Sequence, residues 1–195
     1  MYERIFDFNK LRAQFVEDFY QRVSQSKNLL PEDLIQHQRN LAMPFVGFRE
    51  TKVFDGPVVD AFQEYTRSQG LSWGVSFIVY VVNRGIGETL ASTVDLQFPT
   101  PLPITPFTSE FKDLPKSTRP LAGDILVSGD CAWFVSRLKK DSVVCIGMFP
   151  KGKKHGVYEK EIIPQADDFF VDMESVYYDF LKKASDVTQE KAESA

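Results

Sequence analysis

His37 and His155, with Cys131 and Cys145, are the only histidines and cysteines from which this chain could build a thiol nucleophile and an imidazole base. A cysteine hydrolase needs its thiol within hydrogen-bond reach of that base. One such arrangement is open to the sequence: Cys131 attacks and His155 takes the proton, provided Cys131 is partly exposed and thiolate-prone. His37, in Leu34-Ile35-Gln36-His37-Gln38-Arg39, reads instead as a solvated histidine on the polar side of a helix. The cysteines form no CxxC pair and too small a set for a disulfide framework, so reduced thiols are the default.

Metal chemistry has less to work with. These residues have no zinc-site spacing, no acidic stretch has the ligand pattern of a calcium loop, and Gly85-Ile86-Gly87-Glu88 lacks the length and the Lys-Ser/Thr of a phosphate loop. No metal and no cofactor is expected. Glu32-Asp33 and Asp167-Asp168 stand at helix starts, where the helix dipole accounts for them.

Two segments have the chemistry of binding. Lys151, Lys153 and Lys154 crowd a glycine-containing turn before His155 and could hold a phosphate or an acidic partner. Residues 99–120 carry Pro99, Pro101, Pro103, Pro106, Pro115 and Pro120. A polyproline arm around Pro101, Pro103 and Pro106 could lie on a partner at low entropic cost.

These residues must be positioned by elements that the periodicity indicates. Phe8, Leu11, Phe15, Phe19 and Val23 mark an amphipathic helix, and further helices start at Pro31, ending before Pro44, and at Pro57, with Gly70 suited to the cap. Residues 45–54 read as a short strand or extended arm. From Ser72 the texture turns β-branched. Val75, Ile78, Val79, Val81 and Val82 lose rotamer freedom in a helix, so Trp73–Val82 is expected as a strand, in a hairpin with 93–98. Asp124–Ser128, Ala132–Leu138, Ser142–Phe149 and Val157–Ile163 alternate with turns, as a meander or small barrel would. A last helix covers 167–184 with Phe169, Phe170, Met173, Val176, Tyr177, Phe180 and Leu181 on its apolar face.

Two motifs resemble the NlpC/P60 and CHAP families of papain-like amidases and peptidases. Trp73-Gly74-Val75-Ser76-Phe77-Ile78 is similar to their Trp-Cys-x-x-Phe-Val helix start, and Pro120-Leu121-Ala122-Gly123-Asp124-Ile125 to the Pro-x-x-Gly-Asp-Ile that precedes a barrel strand. The resemblance implies a helix at 73–84 with a nucleophile at its start and a base histidine opening a later strand. The position matching the nucleophile is Gly74, and Asp141–Val144 contain no histidine. A relative of this kind would be degenerate or rearranged.

The whole reads as one α+β domain over 1–184: helices within 1–70, an antiparallel sheet or small barrel at about 71–163, a C-terminal helix at 167–184 and a disordered tail at 185–195. Composition is that of a globular protein, with 43% hydrophobic and 26% charged residues. Seventeen phenylalanines are more than an interior of this size commonly uses, which points to an interface or a homo-oligomer. A net charge of −4 gives no global attraction to nucleic acid, leaving that case to local basic clusters. No secretion signal or membrane span is read, so a cytoplasmic location is expected. With no complete catalytic set, the expected function is non-enzymatic protein binding, as an assembly, adaptor, immunity-type or inhibitor component.

Overall fold

In the computed structural model the described residues are 10, 13, 14, 17, 30–87 and 100–192. The expected first helix lies mostly outside them, though Lys10, Ala13, Gln14 and Glu17 are helical and exposed. The strand expected at 93–98 lies outside them altogether.

Helix α1, Pro31–Ala42, begins at a proline with Glu32 and Asp33 in its first turn and passes into a short 3₁₀ turn, Met43–Phe45, that contains Pro44. Helix α2, Pro57–Thr66, also opens on a proline. It closes on Arg67 rather than Gly70, with Arg67 left-handed at φ 55°. Residues 72–82 correct the sequence reading: they form no strand. Helix α3, Gly74–Val79, continues as a π-helix, Tyr80–Gly87. Its β-branched residues are tolerated because every residue from Trp73 to Asn83 is buried, and burial on all sides outweighs a helix-propensity cost of under about 1 kcal/mol per residue.

The sheet begins only at residue 116. Strands β1 (Lys116–Ser117), β2 (Ile125–Ser128), β3 (Cys131–Leu138), β4 (Val143–Lys151), β5 (Lys154–Ile162) and β6 (Phe169–Val171) pair antiparallel in the order β1-β6-β2-β3-β4-β5. The meander is therefore β2 to β5. The sheet stays open with β1 and β5 at its edges, so it is not a barrel. Phe169 and Phe170 belong to β6 rather than to the last helix, α4, which runs from Met173 to Ala192. Residues 47–50 lie along the outer edge of β5, where Gly47 donates to the Val157 carbonyl and Val157 to that of Phe48.

Strand alternation divides the interior in two. Ile125, Val127, Ala132, Phe134, Ile146, Met148 and Val157 face the helices; Leu126, Val135, Cys145 and Phe149 form a smaller cluster on the other side. In the main core Phe45, Phe62 and Phe77 meet edge to face at 5.3–5.6 Å, each contact adding about 1 kcal/mol beyond area burial. The Gly-Asp-Ile motif has a structural role. Gly123, at φ 110°, passes so close to Ile35 that a Cβ there would lie 2.2 Å from its Cγ2. Asp124 accepts from the backbone N–H of Leu121 and of Met173, capping the start of α4. Burial, with the charge of Asp172, raises its pKa despite those bonds.

His37 is buried on α1 beside Leu34, Gln38 and Leu41, against the expectation of a solvated side chain. The face of α1 turned to α4 and the π-helix is broad enough to include it. Burial lowers its pKa to about 4 although a hydrogen bond with the Gly85 backbone opposes the shift. The native state thus holds His37 neutral. Its contribution is complete above pH 6.5 and is lost as pH falls towards 4, up to about 3 kcal/mol in all. Urea midpoints measured across pH 4–7 should therefore slope more steeply in the wild type than in His37→Gln; parallel profiles would refute the linkage.

Candidate functional site

Cys131 and His155 are not brought together. Cys131 starts β3 and His155 lies on β5, with β4 between them, so two strand spacings of about 4.8 Å separate their backbones. Alternation also turns them to opposite faces: Cys131 shares its side with Trp133, while His155 shares the helix side with Val157. Burial, with the charge of Asp130, raises the Cys131 thiol pKa, the reverse of what a nucleophile needs. Cys145 is fully buried and pushed up to about 12.

His155 is held instead by Glu50. The Glu50 carboxylate accepts at Oε1 from the His155 backbone N–H at 2.7 Å and lies 3.1 Å from the ring Nδ1; at Oε2 it accepts from Trp73 Nε1 and the Phe54 N–H, each at 2.9 Å. Phe54 stacks on the His155 ring at 5.1 Å. Burial alone would raise the Glu50 pKa, but the bonds from Trp73, His155 and Phe54 outweigh it and hold the carboxyl below its usual range. Nothing in the sequence marked Glu50; its one hint is an acid set among phenylalanines in the arm 45–54.

The start of α3, where a papain-like enzyme would carry its thiol, is filled by a thioether. A Cβ on Gly74 would lie 3.1 Å from Met148 Cε, and the Ser72 hydroxyl approaches Met148 Sδ at 3.9 Å. Beside it opens a cleft of about 290 Å³ lined by Leu71, Ser72, Pro106, Phe107, Thr108 and Asp130. Its polar groups are two hydroxyls and one carboxylate, and Thr108 spends its hydroxyl on the Gly129 carbonyl at 2.8 Å. Leu71 and Phe107, which line the cleft, are about half exposed.

The proline arm contributes to this cleft unevenly. Pro106 lines it, Pro103 is half-buried, and Pro101 is buried. Leu102, also buried, exchanges two hydrogen bonds with Asn83 of the π-helix, at 2.8 and 2.9 Å, which anchors the arm. Lys151, Lys153 and Lys154 are exposed at the β4–β5 turn and line none of this cleft. No family model, curated protein or solved structure matches the chain. Among the described residues, no helix is long and apolar enough to cross a membrane.

The thiol environments give a direct expectation. In the native protein at neutral pH Cys131 should react with iodoacetamide more slowly than free cysteine, and Cys145 only after unfolding. Rapid stoichiometric labelling of Cys131 would contradict this and restore a thiol site.

Proposed function

We propose that the chain is a non-enzymatic protein-binding component that takes its partner at the cleft beside the start of α3. The observation that carries this reading is the pair of half-exposed apolar side chains, Leu71 and Phe107, at the mouth of the cleft. Leu71 and Phe107 offer apolar contact, Leu71 on backbone bonded to Ser68 and Gln63 and Phe107 on the arm anchored by the Asn83–Leu102 bonds, and little ordering cost would remain on binding. An aromatic at the mouth of a preformed cleft is a common source of interface hot spots.

The resemblance to papain-like hydrolases fits within the same reading. A buried helix beginning at Trp73-Gly74 and packed on β3 and β4 is the layout that the resemblance implies. With Gly74 and Met148 at its centre, such a layout is a scaffold for contact rather than for acyl transfer.

The test uses exposed positions, so folding should be unaffected. Leu71→Glu/Phe107→Glu should keep the wild-type melting temperature while partners captured by the wild-type bait from a host lysate are lost, with affinity for any purified partner reduced about 30-fold. Retention of the same partners by the variant would overturn the proposal, as would turnover of a peptide or amide substrate by the wild type.

A further inference from the structure

The face of the sheet turned away from the helices carries an arrangement separate from the cleft. Across β3, β4 and β5, Gly147 sits between Trp133 and Tyr158, and Gly156 lies opposite Phe149. A Cβ on Gly147 would lie 2.6 Å from Trp133 Cδ1, and one on Gly156 would lie 2.4 Å from the Phe48 carbonyl oxygen of the bordering arm and 2.9 Å from Tyr158 Cε2. The missing side chains let the aromatic rings settle against the strand backbone. Trp133 lies parallel to Phe149, with ring centroids 5.4 Å apart and planes 6° apart, and its Nε1 donates to the Met148 carbonyl. Trp133 and Tyr158 remain partly exposed.

Cations surround these rings. Lys160 Nζ sits 5.0 Å from the Phe149 centroid, Lys151 Nζ sits 5.4 Å from that of Tyr158, and Arg49 Nε donates to the Tyr158 hydroxyl at 2.7 Å. Lys151 and Lys154 are direct cross-strand partners, a like-charge pairing that works against the hairpin; Lys154 Nζ donates to the Thr51 carbonyl, a neutral acceptor that offsets its charge only in part. The nearby acids do not offset it. Glu50 is buried under its own donors, and Glu159 and Glu161 alternate to the other side of β5, where they bond Arg137 and Lys139. A chain of net charge −4 therefore concentrates positive charge beside the partly exposed Trp133 and Tyr158 rings, at the rim of the smaller buried cluster on this face.

From this geometry we propose that the Trp133–Phe149–Tyr158 face of β3–β5 binds single-stranded nucleic acid. Phosphates would be met by Arg49, Lys151, Lys154 and Lys160, and unpaired bases would stack on Trp133 and Tyr158. An acidic polypeptide would use the lysines but leave the rings idle, and a duplex keeps its bases stacked on one another, out of reach of the rings. Cation–π contacts hold Lys151 and Lys160 near the rings before any ligand arrives.

The probes are a fluorescein-labelled oligothymidylate and oligouridylate of about 20 nucleotides, long enough to span several stacking sites, titrated with the full chain. Binding should weaken about 50-fold between about 50 and 200 mM salt if four phosphates are engaged. It should also quench the emission of Trp133, since the other tryptophan, Trp73, is buried. Lys151→Glu/Lys160→Glu changes only exposed side chains and should weaken binding at least about tenfold at an unaltered melting temperature. Trp133→Phe retains an aromatic packing group and should lose the quenching. Three results would overturn the proposal: no binding at low salt, equal binding of a duplex of the same length, or equal binding of polyglutamate without quenching. The last would assign the face to an acidic protein.

Discussion

A single buried carboxylate joins the two layers of this protein. Glu50 lies on the arm that borders β5, yet its oxygens accept hydrogen bonds from the indole at the start of α3, from the Phe54 backbone and from the backbone of His155 on the edge strand. Charge-assisted bonds of this kind contribute about 1.5–3 kcal/mol each, and an unpaired charge in the same place would cost several. The position of Trp73 against the sheet therefore depends on an acid about twenty residues earlier in the chain. The start of α3 and the edge of the cleft follow from it.

What this constraint positions is the start of α3 and the cleft beside it, the surface proposed above for contact. Where papain-like chemistry would need a thiol, backbone and the Met148 side chain fill the space; His155, a candidate base by type, is occupied by Glu50 and Phe54. The chain keeps polar chemistry where it closes the fold. Asp124 caps α4, Gln38 links Tyr177 to the Gly123 carbonyl, and Ser76 meets Thr66 and Ser68 between helices.

Much of the fold was legible because it obeys local rules. Pro31 and Pro57 mark helix starts by fixing φ where no donor is needed, and alternation between turns gave the four strands of the meander. The segment from Trp73 to Val82 was misread because β-branching reports preference on a half-exposed surface, and full burial overrides it. Phe169 and Phe170 carry a spacing compatible with the following helix, but the cap that Asp124 places on Met173 starts the helix after them. His37 was assigned to solvent because its neighbours are polar; the partners that bury it come from distant segments. Of the candidate site, Pro106 and Gly74 are visible in the sequence, whereas the burial of Pro101 is not. Glu50, Leu71, Phe107 and Asp130 could not be read there, since only the fold brings them near α3.

The distinction between a structural and a catalytic Glu50–His155 pair rests on one comparison. Urea unfolding at neutral pH should show Glu50→Gln less stable than the wild type by about 2–4 kcal/mol, with the same dependence on urea. A carboxylate kept for chemistry is commonly neutral or costly to stability, so a variant as stable as the wild type, or more so, would contradict the structural role and reopen the case for an enzyme.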